Sequence, residues 1–428
     1  EIGLMRGLVH GKSFPSLTVE APQAQAFERE VFEQHGLEPV GHPWLKPLRR
    51  RAELDPSAPV HPYFQVEGTA VHEVAVGPVH AGVIEPGHFR FQCRGEEVYS
   101  LEIHLGFQHR GAEELLRTAA PARRLAVAET LAGETSIGHA TAYCMALEAL
   151  AGATVSPRAA AIRAIALELE RLANHIGDLG ALCGDVGYLP GNAYFGRLRG
   201  EFLNLTLELC GNRFGRGLLT PGGVRFDLES RQVAPFLSRL DKAREHVDDT
   251  ARMTFETPSV ISRFEGTGTL TRETADRLGL VGPAARACGC DRDPRRDHAW
   301  GAYRGSQLRV MTAETGDVLA RAQLRWREAQ ESVALIEALS GGLPPGELAP
   351  ALPKLQPGSV AVALTEGWRG EVVHVAVTGA DGALSAYKVV DPSFHNWFGL
   401  AMALRDNQIS DFPLCNKSFN LSYCGHDL

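Results

Sequence analysis

The 428-residue chain predicts an α+β fold: a central bundle of long helices, flanked by a small N-terminal β region and a small C-terminal antiparallel sheet. Two observations carry this. From about residue 110 to 345, apolar residues recur every three or four positions over stretches far longer than a strand, as buried helix faces do. Residues 61–110 and the segment after 346 instead alternate apolar and polar residues between Gly- and Pro-rich turns, as half-buried strands do.

In residues 1–60 the run FPSLTVEAPQAQAFEREVFEQHGLEPVGHPWLKPL gives a short helical face through Phe27, Val31 and Phe32, and is expected to act as an extended arm or docking segment. Residues 61–110 follow with VHEVAV and HFRFQCRGEEVYSLEIHL, which read as strands and tight turns. In the helical part, residues 110–345, Ser156-Pro157 supplies an N-cap followed by proline at the first helical position. Beyond it Ile162, Ile165, Leu169, Leu172, Ile176 and Leu179 form one stripe, and Phe195, Leu198, Phe202, Leu205 and Leu209 form a second. Packed together, such stripes make a bundle. A loop-rich stretch runs from Gly266 to Gly305, and a helix from about Gly316 to Leu339 ends at GGLPPG. In the last part, residues 346–428, AVALTEGWRGEVVHVAVTGADGALSAYKVV alternates around the turn formers Gly379 to Gly382, which predicts a small antiparallel sheet.

A net charge of −8 leaves no electrostatic footprint for nucleic acid. Eight cysteines scattered over the length do not form a secreted disulfide framework, so a reducing compartment is expected. Cys288 and Cys290 make a C-x-C in a Gly- and Arg-rich loop, read either as a metal or redox pair or as ordinary loop thiols. Glu129, Glu134 and Glu148 interrupt the most apolar stretch, so no bilayer-spanning helix is expected. No secretory leader is visible, and a chain opening on Glu1 rather than Met is expected to have its natural start upstream.

Several segments in one order resemble a known family. They are GPVHAGVIEPGHFRFQCRGEEV (Gly77 to Val98), HLGFQHRGAEELL (His104 to Leu116), ELERLANHIGDLG (Glu168 to Gly180), TPGGVRFDL (Thr220 to Leu228), VGPAARACGCDRDPRRD (Val281 to Asp297), GDVLARAQLRWREAQES (Gly316 to Ser332), EGWRGE (Glu366 to Glu371) and the closing DFPLCNKSFNLSYCGHDL. Together they are similar to the large-subunit family shared by group 4 nickel-iron hydrogenases, of the formate hydrogenlyase and hydrogenase-4 type, and the 49-kDa-type, quinone-site subunit of respiratory complex I. The resemblance covers about residues 60–428 and implies that family's fold. Residues 1–60 resemble the tail of the complex I 30-kDa-type subunit through FERE (Phe27 to Glu30) and GHP (Gly41 to Pro43), so 1–60 is expected to be a remnant of that domain and 61–428 the large-subunit domain.

The departures are as informative. Hydrogenases of this family end in S-x-D-P-C-x-x-C-x-D. Anchored on Ser418 and Asp427, those two cysteines fall on Ser422 and Gly425. The earlier R-x-C-G-x-C motif, anchored on Gly133 and His139, places its cysteines at Ala132 and Thr135. A soft metal held by paired thiolates therefore has none of its four expected ligands, and a nickel-iron centre is not expected. Cys415 and Cys424 are present at C-x8-C spacing, wider than one metal-binding loop uses. The complex I relative holds its quinone with a tyrosine, whose position falls on Gly133, and a histidine, whose position falls on Ile84 or Pro86.

The candidate site residues are His80, Glu85 and His88 on the first loop, able to pass protons or orient a quinol-like hydroxyl, with Glu134 and His139 at the vacated metal position. Burial is expected to raise the pKa of Glu134 and let it exchange a proton with His139 one turn on; the alternative is a helix-start carboxylate. Glu168, Arg171, His175 and Asp178 step along one helix as a polar stripe, either a proton route or a wet face. Arg286, Asp291, Arg292, Asp293 and Arg295 are expected to face an iron-sulfur partner.

The resemblance implies a subunit of a membrane-associated oxidoreductase complex, of the NADH-quinone oxidoreductase or hydrogenase type, lying peripherally on the cytoplasmic side of the inner membrane. Its partners would be a small iron-sulfur subunit of the 20-kDa type, a 30-kDa-type subunit and membrane ion-pumping subunits. Electrons would pass from the partner's cluster to a quinone or other acceptor. A redox-inert scaffold and an altered nickel-iron hydrogenase using Cys415 and Cys424 are the alternatives.

Overall fold

A computed structural model describes residues 11–49, 61–80 and 84–428. Its centre is the helix Pro157–Asp185, packed against the helices Leu189–Cys210, Val318–Ser340 and Ser136–Ala151. Ser156 caps the central helix, its side chain accepting the Ala159 N–H with Pro157 at the first position. Both predicted apolar stripes are buried, and each wholly covered Leu, Ile or Phe contributes about 1.5–3 kcal/mol. The central helix has no wet face. Every residue from Ala159 to Cys183 except Gly177 and Ala181 is buried, including Glu168, Arg171, His175 and Asp178, which corrects the solvent-facing reading of that stripe.

Two three-stranded antiparallel sheets flank the bundle. The first joins His72–Val76, His88–Arg94 and Glu97–His104, and the second joins Val360–Gly367, Gly370–Thr378 and Leu384–Val390. In the second sheet Leu364 pairs with Val373 and Glu366 with Glu371, so the hairpin turn carries Trp368 and Arg369. The predicted turn at Gly379–Gly382 links its last two strands. Among the described residues no helix is long and apolar enough to cross a membrane.

The described part of the N-terminal segment lies on the chain's own C-terminal region. Phe27 meets Phe394 edge-on at 5.0 Å, Trp44 meets Phe398 at 5.3 Å, and Arg49 pairs with Glu30 while donating to the His426 carbonyl. Its helix, Gln25–His35, turns Phe32 outward and buries Glu28 and Glu30 instead, against the apolar face predicted from Phe27, Val31 and Phe32. Ser16, Thr18 and the Leu17 N–H satisfy Glu28, and Arg49 and Lys388 satisfy Glu30, so buried carboxylates are tolerated. Residues 1–10 and 50–60 of that predicted unit lie outside the described residues.

Candidate functional site

The two segments that carry the expected metal-ligand positions meet around Arg369. Ala132 and Thr135 lie in the turn before the helix Ser136–Ala151, and Ser422 caps the last helix, Tyr423–Asp427, by accepting the Gly425 N–H at 2.9 Å. From the hairpin turn, Arg369 donates to the Asn420 carbonyl at 2.5 Å, to Thr135 Oγ1 at 3.5 Å and to Glu134 Oε2 at 3.3 Å. One guanidinium thus ties the turn before the helix to the C-terminal segment. A hydroxyl pair plus alanine and glycine does not fit a thiolate-held nickel ion.

Beneath Arg369 runs a buried chain of hydrogen bonds. His139 Nε2 lies 3.0 Å from Asp391 Oδ2, His139 Nδ1 lies 3.1 Å from His374 Nε2, and His374 Nδ1 lies 2.8 Å from the Tyr387 hydroxyl. Asp391 Oδ1 accepts the Ser393 N–H at 2.8 Å. With both imidazoles neutral, one tautomer set fits: Tyr387 donates to His374, His374 Nε2–H to His139, and His139 Nε2–H to the carboxylate. Burial alone would raise Asp391; the His139 bond and the Arg369 charge hold it below its ordinary value. Burial, reinforced by neighbouring His139, holds His374 well below neutrality.

This geometry corrects the expectation for Glu134. Its side chain is 44% exposed and paired with Arg369, whose charge lowers its pKa rather than letting burial raise it. His139 has both ring nitrogens engaged elsewhere, by His374 and Asp391, so the expected exchange between Glu134 and His139 is replaced by the deeper chain. A neighbouring carboxyl that burial does raise, to about 8, is Glu170, which accepts the N–H groups of Ile137 at 2.6 Å and Gly138 at 3.0 Å.

The first-loop candidates divide. His80 lines a cavity of about 530 Å³ walled by Phe89, Phe91, Phe412 and Tyr423, with Asp185 and Lys417 at its edge. Among the described residues its buried Nε2 has no hydrogen-bond partner, and desolvation lowers its pKa. Asp185 is exposed at the rim, where desolvation by the walls raises its pKa against the pull of Lys417. Ile84, one of the two positions anchored to the relatives' histidine, opens on the same cavity. Glu85 reaches the C-terminal segment, accepting the Cys424 N–H at 3.3 Å, whereas His88 bonds the Gly77 carbonyl at 3.2 Å and meets the Tyr63 ring at a tilt, 5.3 Å between centroids. Residues 81–83 of that loop lie outside the described residues.

Asp185, Tyr423, Arg369, His374 and Asp391 were not singled out from sequence. Asp185 had a signal, since it stands seven residues after Asp178 and continues the charged stripe. That stripe is paired along its length. Glu168 binds Arg295 at 3.0 Å, Tyr303 at 2.6 Å and Ser332 at 2.5 Å, and Arg171 binds Glu328 at 2.5 Å. His175 lies 3.2 Å from Glu328, and Asp178 binds Arg325 at 2.9 Å and Asn420 at 2.6 Å. The loop expected to face a partner is corrected in part: Arg286, Asp293 and Arg295 turn inward, and only Asp291 and Arg292 stay exposed. Arg286 alone spans Glu328 at 2.8 Å and Glu366 at 2.7 Å.

All eight cysteines are free and buried. Cys415 packs by Gly268 and Arg321, while Cys424 lies 3.4 Å from Ser422 Oγ, and burial pushes both thiols up to about 11. Among the described residues no cluster of three His, Cys, Asp or Glu side chains could hold a metal.

The sequence profile for the 49-kDa subunit of respiratory-chain NADH dehydrogenase matches residues 185–357. Hydrogenase-4 component G of Escherichia coli K12 is 30% identical over 96% of this chain and 75% of its own length. NADH-quinone oxidoreductase subunit 4 of Thermus thermophilus is 31% identical over 80% of this chain and 90% of its own. The membrane-bound hydrogenase subunit alpha of Pyrococcus furiosus is 28% identical over 81% of this chain and 85% of its own.

Proposed function

Since the chain belongs to the large-subunit family that unites 49-kDa proteins of respiratory NADH dehydrogenases with hydrogenase subunits, we propose that it is a peripheral, nickel-free subunit of a membrane-associated oxidoreductase complex. It takes electrons from an iron-sulfur partner and delivers them to a quinone or a similar small aromatic acceptor, on the cytoplasmic side of the membrane, with the charge movement coupled to ion-translocating neighbours. The observation that carries the reading is the aromatic-walled cavity with the Nε2 of His80 inside it, unpartnered among the described residues.

The chemistry suits such an acceptor. Reduction of a quinone to a quinol needs two electrons, which a one-electron cluster supplies in two steps, and two protons. Phe89, Phe91, Phe412 and Tyr423 offer faces and edges for an aromatic headgroup. His80 is placed to donate a hydrogen bond to a quinone carbonyl, and Asp185 at the rim to resupply the proton, because desolvation moves its carboxyl toward neutrality. Apolar walls exclude bulk water from the ring.

The test uses the purified, assembled complex. A photoreactive quinone should label the peptides carrying His80 and Tyr423, and elemental analysis should find nickel far below one per chain. Absence of quinone labelling and of quinone-linked turnover would assign the chain a scaffold role. Stoichiometric nickel, lost on Cys415→Ser, would make it a hydrogenase.

A further inference from the structure

The absent thiolates leave open whether the metal position is a vacant site or one rebuilt against a metal. Gly425, where the motif anchoring sets the last ligand, decides this. It lies in the helix Tyr423–Asp427, where a side chain is ordinarily free to point outward. Here the space is taken: a Cβ on Gly425 would stand 2.6 Å from Asp391 Cγ and 2.8 Å from each of its carboxylate oxygens. Real side chains do not approach so closely, and interiors this densely packed yield little.

Asp391 is not a flexible end that could swing away. It caps the helix Pro392–Ala403 by accepting the Ser393 N–H, it accepts from His139 Nε2, and it is wholly buried. Behind it His139 is held by His374, and His374 by Tyr387. Ser393 then grips the other C-terminal ligand position, its Oγ accepting the Ser422 N–H at 2.9 Å. A buried carboxylate in contact with position 425 also opposes a thiolate electrostatically, since two anions in a low-dielectric site destabilise each other.

We infer that Asp391, braced by His139 and Ser393, occupies the place of the fourth metal-ligating side chain and is the residue that excludes a thiolate-held metal from this position. The inference rests on the nickel-free reading, but it concerns the cause and not the fact of exclusion. Nickel in the wild-type complex would overturn that reading, whereas the variants below test Asp391.

The experiment is a double-mutant cycle in the assembled complex. Gly425→Ala should lower its thermal midpoint and yield, Asp391→Gly should lower them for its own reason, and the double variant should be no worse than the worse single one. A neutral Gly425→Ala, or effects that simply add, would overturn the inference. A second measurement reads the metal directly. The variant with cysteine at 132, 135, 422 and 425 is loaded with zinc, with and without Asp391→Gly, and zinc-edge absorption counts sulfurs at about 2.3 Å. Four sulfurs are expected only when Asp391 is shortened. Four sulfurs with Asp391 in place, or zinc on neither variant, would assign the exclusion elsewhere.

Discussion

Glu328→Gln tests whether the buried charges inside the bundle are a working part of its stability. Glu328 is 2% exposed and takes Arg171 at 2.5 Å, Arg286 at 2.8 Å and His175 at 3.2 Å. Glutamine keeps the shape but takes one carboxylate partner from each of two buried guanidinium groups. Removing one partner of a buried pair costs about 3–5 kcal/mol. The loss should stay near that range rather than double it, because Arg286 keeps Glu366 at 2.7 Å and Arg171 keeps Glu168 at 3.4 Å. For a chain this long that corresponds to a drop of roughly 3–6 °C in the thermal midpoint of the complex. The pH dependence has a definite sign. Burial opposes ionisation, but Arg286 and Arg171 hold Glu328 well below the ordinary carboxylate range. Its stabilisation is therefore complete above the unfolded value of about 4.3 and fades as pH falls toward the folded value. The gap between wild type and variant should be full at neutral pH and narrow on acidification below about pH 4.5. Scanning calorimetry across that range checks it. A variant as stable as wild type at neutral pH would refute the reasoning, and so would a gap that ignores pH.

Three further outcomes follow from the site. His80→Gln should leave the complex assembled while quinone-linked turnover falls by roughly 10²–10⁴-fold, the range for a lost general acid or base; turnover assays with a soluble quinone analogue read this directly. Glu134→Gln should leave the pH profile of turnover unmoved near neutrality, because Arg369 keeps that carboxyl ionised there; a displaced profile would restore Glu134 as the proton carrier. Cys415 and Cys424, buried and pushed up to about 11, should resist alkylation of the native complex at neutral pH and react only after unfolding, as mass spectrometry of labelled peptides would show.

What could be read from sequence was whatever lies close along the chain. The stripes Ile162 to Leu179 and Phe195 to Leu209 repeat at helical spacing, so local order alone marks their faces as buried. The charged stripe Glu168, Arg171, His175 and Asp178 was equally visible, but its environment was not, since its partners come from distant segments: Arg295 lies 127 residues from Glu168 and Glu328 lies 157 from Arg171. Without those partners a row of charges on a helix reads as a wet face.

The same limit reversed the sign for Glu134. Position suggested a buried acid with a raised pKa, while the Arg369 that lowers it arrives from a hairpin 235 residues away. Asp391 and His374 carry no local motif at all. Only the packing of the C-terminal sheet against Ser136–Ala151, with Asp391 directly after the sheet's last strand, sets them on His139, and that meeting is what separates a filled site from an empty one. Loss of four ligands in sequence is compatible with either a cavity or a rebuilt core. The carboxylate against Gly425 argues for the rebuilt core, which is why the proposed acceptor chemistry is assigned to the cavity of His80 and not to the position of the missing thiolates.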